Sequence, residues 1–596
     1  IPRGATGAAG ADGDDGRGIV SVVRTSGTGA AGTTDTYTIT YTDETTSTFD
    51  VYNGADGEDG YTMAQADAIY ASLLDGTLKQ YRRVMRAWFI ANGCDALADL
   101  SSLMQRWYEI TRTGWTGGVQ FAEASASDLS TGTRLGDNIG LSCVPSTDTV
   151  AGADGYAGIP LFVPTDVNWS YDANGNLIVT AIDGISSGFN RYTLGAHVGV
   201  AQMAGFRRVV VDENGTNIMY SDKHLDGYFP LPEAVRLDGT LRSFVVHSKY
   251  LMGDDLGCYS GVAPRDRDVS HDTCRTLLHT KWGTHYGAGT SADDAWLKLM
   301  WWIKYATWTM DGILDGCCNY SYQYTAAVAE TGVERVLLTT AQAANLVVGS
   351  TVIVGVNTSG TDRQYLEMRS IVNRKKIRSI ASVVVGGTTY SAINIDNGGV
   401  TFDVTTATYI STMPWFTGAC DGVLGNDGSP GSPTGGKYPC KLQGIEFRTG
   451  QYEVYGDTIL EGYADGSELR MRGAVCRRAS LYAGSITTNY KRASYYVIRP
   501  ATSGWLYLKE LGFDAALPEL ILAKTTGGSS STYMRDAWYI ENTAGTFLRE
   551  WLAFAGLAGG VPMAVLRGTL TGLLAFLPNI GAPILGARMV LVGFSV

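Results

Sequence analysis

Glycine falls at every third position at the start of the chain: Gly4-Ala-Thr, Gly7-Ala-Ala, Gly10-Ala-Asp and Gly13-Asp-Asp, then Gly16. The pattern returns at Gly54-Ala-Asp, Gly57-Glu-Asp and Gly60. Three wound polyproline-II chains leave room only for glycine at their common axis, so this spacing predicts a triple helix and with it a homotrimer. The competing reading is a flexible glycine-rich linker. Runs this short cannot hold three chains together, so a triple helix here needs a neighbouring trimeric element to enforce it.

The stretch between the two runs supplies a candidate. Ile19 to Val23 is β-branched, and Tyr37, Ile39 and Tyr41 alternate with threonines at period two. A turn at Asp43-Glu44 leads back through Phe49 and Val51. So small a β unit cannot bury both faces by itself and is expected to associate with copies of itself. From Tyr61 the period changes: Ala66, Ile69, Tyr70 and Leu73, then Leu78, Tyr81, Met85, Trp88 and Phe89, recur at helical spacing, broken at Gly76 and Gly93. Two readings stay open, a helix packed on the following domain and a neck with Ile69 and Leu73 on a three-chain seam.

From Gly114 the sequence reads as strands and turns, so the class expected is mixed, β-rich α+β. Ser291, with Asp294 three residues on, is expected to cap a helix whose stripe (Trp296, Leu299, Met300, Ile303, Ala306 and Thr307) is core. Val333 to Ala407 reads as a separate β module, in which Arg374-Lys375-Lys376-Ile377-Arg378 is expected to be a solvated strand edge. The chain has 596 residues, enough for about four domains. Its net charge of −12 excludes nucleic acid as the main partner, since phosphate binding needs a basic footprint. With 10% aromatic residues it is too rich in core formers to be disordered.

Motifs for chemistry are sparse. Gly184-Ile-Ser-Ser-Gly188 matches a nucleophile elbow, but no helical stripe follows it, and a turn is the expected structure. Gly431 to Lys437 approaches a phosphate loop with Tyr438 where a hydroxyl should hold magnesium. Asp172-Ala-Asn-Gly175 and Asp212-Glu-Asn-Gly215 are fragments of calcium loops and read as hairpin turns. The nine cysteines read mainly as buried thiols, with Cys420 and Cys440 placed where they could be bridged. No catalytic residue, metal site or cofactor is expected. The N-terminus carries no basic-then-apolar leader pattern. Gly568 to Ala587 is twenty uncharged residues, but its glycines and prolines argue against a lone membrane-spanning helix, so no membrane insertion is expected.

Three stretches carry a resemblance. The Gly-x-y run followed by Gly18-Ile-Val-Ser-Val22 and Thr36-Tyr-Thr-Ile-Thr-Tyr-Thr42 resembles the shaft of phage tail fibres, where collagen-like segments alternate with trimeric β units. Pro414-Trp-Phe-Thr-Gly418-Ala-Cys-Asp-Gly422 followed by Gly444-Ile-Glu-Phe-Arg-Thr-Gly450-Gln-Tyr-Glu453 resembles the core of the C-type-lectin fold in formylglycine-generating-enzyme relatives and in the variable proteins of diversity-generating retroelements. Gln451 stands where that pattern has Asn. Gly527 to Thr532, Asp536, Gly572 to Phe576 and Gly586-Ala-Arg-Met-Val590 resemble the closing strands of the same fold.

The resemblance implies a collagen-like segment (1–18), a β shaft unit (19–53), a second collagen-like segment (54–60), a helical neck (61–112), and a C-type-lectin-like head in two parts (113–332 and 408–596). A small β domain (333–407) is inserted in the head, and a display region spans 552–588. It implies a non-enzymatic adhesin in the virion tail, bound to other tail or baseplate proteins and attaching to a bacterial cell-surface receptor of protein or glycan. Contact candidates in the display region are Phe554, Leu557, Val561, Met563, Val565, Arg567 and Leu570, with a place in core strands as the alternative for each. Leu573 and Phe576 also fall in that region and read as core. Other readings are a tail spike that degrades polysaccharide and a bacterial collagen-like surface adhesin.

Overall fold

The computed structural model describes residues 18–30, 32–53, 77–94, 99–123, 130–265, 271–317, 322–358, 368–450, 452–535, 537–540, 546–554, 563–566, 585–587 and 590–591. The triplet glycines Gly4, Gly7, Gly10, Gly13, Gly16, Gly54, Gly57 and Gly60, and the seam candidates Ile69 and Leu73, lie outside these residues. The chain divides into two compact units, 1–75 and 76–596.

The first unit is a three-stranded antiparallel sheet of β1 (Ile19–Ser26), β2 (Thr34–Tyr41) and β3 (Thr46–Tyr52), in that order. The turn at Glu44 takes a left-handed φ of 64°. Register sorts the side chains by chemistry. Val22 lies opposite Ile39, Tyr37 opposite Phe49, and Ile19 opposite Tyr41, so these residues share one face with Val51. Thr36, Thr38, Thr40, Thr46 and Thr48 occupy the other. Tyr37 and Phe49 stack with ring centroids 5.6 Å apart. The apolar face is nevertheless open: Ile19 is 61% exposed, Val22 48% and Phe49 42%. Among the described residues of this unit only Asp35 is buried, where it accepts hydrogen bonds from Gly29 N–H (2.9 Å) and Arg24 (3.0 Å).

In the second unit the helical periodicity becomes helices α1 (Thr77–Ala91) and α2 (Leu100–Ile110), the latter capped by Asp99. Met85, Phe89, Met104, Trp107 and Tyr108 are buried in the main core, and Trp107 donates to Tyr81 Oη at 2.8 Å. Below them lie two antiparallel sheets. One orders Phe229–Pro230, Phe206–Asp212, Gly215–Ser221, Thr116–Phe121 and Thr133–Gly136; the other orders Phe244–Ser248, Val198–Met203, Thr165–Tyr171 and Leu177–Ile182. Asp172-Ala-Asn-Gly175 and Asp212-Glu-Asn-Gly215 are hairpin turns. In the first, Asp172 Oδ1 accepts the Asn174 and Asn176 N–H groups at 2.8 Å and so fixes its own loop.

After helix α3 (His271–Trp282), helix α4 (Ser291–Tyr305) runs through the core. Its cap is one residue earlier than the sequence suggests: Thr290 accepts from Asp293 N–H, and Asp293 accepts from Thr290 N–H in return. Ser291 is spoken for elsewhere, donating its N–H and hydroxyl to Asp457. Trp296, Leu299, Met300 and Ile303 are buried, while Ala306 is the left-handed C-cap (φ 52°) and Thr307 lies past the helix end. Burial extends all round α4, taking in Lys298 and Lys304.

Residues 323–413 form a six-stranded antiparallel sheet in the order Gln323–Thr325, Thr408–Met413, Thr351–Val356, Val372–Val385, Thr388–Ile395 and Arg335–Leu338. It has a core of its own, including Val336, Leu338, Val352, Val354, Ile377, Ile393 and Ile410. Within the basic run, Lys375 and Lys376 pair with Val352 and Thr351 on one side, and pairing with Thr388–Ile395 runs only from Ile377 on. The run departs from a fully solvated edge at Arg374, which is buried at a register irregularity with φ 50° and donates to Pro264 C=O at 2.6 Å. Only Lys375, Lys376 and Arg378 face water.

The last large sheet orders Lys491–Arg492, Glu468–Val475, Tyr452–Asp465, Phe547–Phe554 and Met563–Leu566. Leu585–Ala587 pairs in parallel with Tyr452–Val454, and Val590–Leu591 pairs with Tyr286–Gly287. The described residues are β-rich with few helices. None of the helices is long and apolar enough to cross a membrane.

Candidate functional site

The Gly-Ile-Glu motif is built on a two-residue hairpin joining Cys440–Leu442 to Ile445–Phe447. Gln443 (φ 47°) and Gly444 (φ 79°) both take positive φ, the conformation that lets a two-residue turn follow the twist of its strands. The hairpin brings Glu446 inside, where it is 1% exposed. Its carboxylate accepts the N–H groups of Gly418 (3.0 Å) and Cys420 (2.7 Å), so the two quoted motifs are joined through one side chain. Gly418 has φ 80°, and a Cβ there would fall 1.8 Å from Ser260 Oγ. Burial, then the charge of Asp421, pushes Glu446 up to about 7 against the pull of the two N–H groups.

Next to it Asp421 accepts from Tyr250 Oη (2.6 Å), Ser260 Oγ (2.7 Å) and Arg191 (3.3 Å). Arg191 also bridges Asp166 (2.8 Å) and Asp183 (3.0 Å), and Lys249 Nζ lies 2.9 Å from Asp166. These carboxylates are held by cations and hydroxyls, an arrangement that fixes the loops carrying them.

Two further polar clusters lie beneath. His247 Nδ1 lies 2.7 Å from Asp293, the base-and-orienter pair of a hydrolytic triad. Its other nitrogen faces Glu233 at 3.9 Å where a triad would present a hydroxyl or thiol, and all three side chains are buried. Burial, the largest influence, pushes Glu233 up to about 7. In the second cluster Cys143, Asp154 and Asp427 present ligand atoms within 4.8 Å of one another. A cation does sit among them, but it is the ammonium of Lys304, 2.6 Å from Asp427 and 3.2 Å from Asp154. Tyr305 Oη and Cys143 Sγ each lie 3.2 Å from Asp427 Oδ2, and Gln443 N–H donates to Oδ1 at 2.7 Å.

The remaining motifs are structural. Ser186 Oγ accepts Ile182 N–H at 3.1 Å in a turn, and no helix follows. Lys437 donates to Ala344 C=O at 2.8 Å, and its loop leads into a short strand rather than a helix. No disulfide joins any of the eight described cysteines, so the bridge considered for Cys420 and Cys440 is not formed; both are buried.

Of the contact candidates, Phe554, Met563 and Val565 fall in one antiparallel ladder, Phe554 opposite Met563 and Leu552 opposite Val565. Leu557, Val561, Arg567 and Leu570, with Leu573 and Phe576, lie outside the described residues. The ladder stands beside Tyr452–Asp465, which follows directly on the Gly-Ile-Glu motif and pairs with both Phe547–Phe554 and Leu585–Ala587. Sequence reasoning missed both pairings, Arg191 with Asp421 and Lys304 with Asp427. The one local signal was Lys298 and Lys304 within the apolar stretch that follows Asp294 in the helix. No protein-family model, curated protein or solved structure matches this chain.

Proposed function

We propose that this protein is a homotrimeric receptor-binding adhesin of a phage tail fibre, with a collagen-like and β shaft and a C-type-lectin-like head that attaches the virion to a bacterial surface. The observation that carries the reading is the open apolar face of β1–β3, flanked in sequence by Gly-x-y runs. A sheet with Ile19, Val22 and Phe49 exposed and almost nothing buried lacks a core of its own, and two further copies would cover it. The same association would bring three chains into register at the triplets, where glycine alone fits. Three heads on one shaft multiply a weak affinity by effective concentration.

Support for the head comes from the order of its parts. The Trp-x-x-Gly loop, the Gly-Ile-Glu hairpin and the closing Gly-Ala strand are tied by Glu446 and by the parallel pairing of Leu585–Ala587 with Tyr452–Val454. The ladder of Phe554, Met563 and Val565 is the proposed start of the receptor surface, and sequence diversification by a retroelement would act across 552–588.

Light scattering on the purified chain tests the assembly: a particle three times the 63.7 kDa chain mass is expected, and a particle of one chain overturns the reading. Phe49→Lys with Val22→Lys is expected to shift that mass towards the monomer. Adsorption of labelled protein to whole bacterial cells tests the function, with deletion of 552–588 expected to abolish it.

A further inference from the structure

Lys304, Asp427 and Asp154 have the makings of an autocatalytic cross-link. We propose that Lys304 Nζ condenses with the side-chain carboxyl of Asp427 to form an intramolecular isopeptide bond, with Asp154 as the proton carrier. The reacting pair is sealed from water, Lys304 being 0% and Asp427 2% exposed at the side chain, and Nζ lies 2.6 Å from Asp427 Oδ2. In water an amine and a carboxylate do not condense, because hydration favours the separated ions. Held at contact in a dry interior, the same groups gain from becoming a neutral amide.

Each atom has a partner for the step. Asp427 Oδ1 accepts the Gln443 N–H at 2.7 Å, so an oxyanion forming there during attack meets a fixed donor. Asp427 Oδ2, the oxygen that leaves, lies 3.2 Å from Tyr305 Oη. Asp154 Oδ2 lies 3.2 Å from Nζ and is 16% exposed at the side chain, within reach of the solvent boundary.

The reaction balances without an oxidant or co-reactant. Asp154 takes a proton from the ammonium and delivers it to Asp427 Oδ2. The freed lone pair on Nζ attacks Cγ, and Oδ1 carries the developing charge. A second ammonium proton follows the first to Oδ2, the Cγ–Oδ2 bond breaks with its electron pair leaving on oxygen, and water departs. One hydrogen stays on the amide nitrogen, Oδ1 becomes the amide carbonyl, and Asp154 ends as it began. Burial works against the ammonium, but Asp427, Cys143 and Asp154 outweigh it and keep Lys304 protonated well above its ordinary range. The ammonium proton must therefore be taken up by Asp154 before Nζ can attack.

The neighbouring Lys298–Asp294 pair is an internal contrast. It is equally buried, but it joins residues one turn apart, and Lys298 also donates to Ile521 C=O at 3.2 Å. A bond between Lys304 and Asp427 instead ties the last turn of α4 to the segment entering the Gly-Ile-Glu hairpin.

Mass spectrometry of the full chain decides the matter. The expected result is an intact mass about 18 Da below that of the sequence, and a branched proteolytic peptide joining Lys304 to Asp427. Because Asp427 precedes Gly428, a cyclised Asp-Gly linkage would remove the same mass but leave a linear peptide. A linear dehydrated peptide, like a full intact mass, overturns the proposal. Asp154→Asn, which keeps the Lys304–Asp427 pair, is expected to restore the full mass in folded protein. Asp427→Asn is expected to lose about 17 Da as ammonia in its place. A branched peptide that persists in Asp154→Asn removes Asp154 from the role of carrier.

Discussion

His197 is buried with neither ring nitrogen hydrogen-bonded, and Trp282 (centroid 4.6 Å) and Trp169 (5.4 Å) pack around its ring. Burial, the dominant cause, lowers it to about 4, so the fold demands a neutral imidazole. The unfolded chain titrates near 6.5, and the stabilisation is therefore complete above that pH and is lost as pH falls towards 4. His197→Phe is expected to flatten this acid limb by on the order of 3 kcal/mol between pH 7 and pH 4, read from urea midpoints at the two pH values. Glu446 is a second test at this scale. Glu446→Ala leaves the Gly418 and Cys420 amides unpaired and is expected to cost about 2–4 kcal/mol, with a smaller loss for Glu446→Gln, which keeps one acceptor. A lone histidine among aromatics has no signature in sequence, and it was the tertiary packing that made it informative. Glu446 was legible as part of a motif, but not as the side chain that joins two motifs.

Elements were legible where a local rule acts alone. The period-two threonine pattern gives β2, the helical spacing of Met85, Trp88 and Phe89 gives α1, and the Asn-Gly and Asp-x-Asn-Gly stretches give hairpin turns. The start of α4 slipped by one residue because Thr290 and Ser291 are both good caps, and Asp457, far away in sequence, claims Ser291. The basic run around Arg374 was read correctly for Lys375, Lys376 and Arg378, which face water, but not for Arg374, which a register irregularity turns inward towards Pro264 C=O. Thr290→Ala removes the cap and is expected to lower stability by about 1–2 kcal/mol, whereas Ser291→Ala leaves the cap intact and unpairs one Asp457 contact. Comparing the two by chemical denaturation checks which residue begins the helix.

For the whole molecule the titrating groups oppose one another. Burial raises Glu233, Glu446 and Asp457 to about 7, above the range of an unfolded carboxylate. Such groups contribute fully below the unfolded value and lose their contribution as pH rises through about 7, the reverse of His197. With three carboxylates against one imidazole, the net contribution of these groups is expected to increase from about pH 7 to about pH 5; denaturation midpoints across that range check it. The buried polar clusters were invisible in sequence: Asp154, Lys304 and Asp427, for one, come from three distant segments and no spacing links them.

The way the final strands dock has a kinetic meaning. Leu585–Ala587 lies beside Tyr452–Val454, and Val590–Leu591 beside Tyr286–Gly287. Partners that far apart along the polymer cannot meet until the later strand has left the ribosome, so closure of these ladders waits until residue 591 has emerged. Loop-closure entropy makes such late, long-range pairing slow. A nascent chain would meanwhile present an open sheet margin to its neighbours, which makes this the step at which a chaperone would matter most.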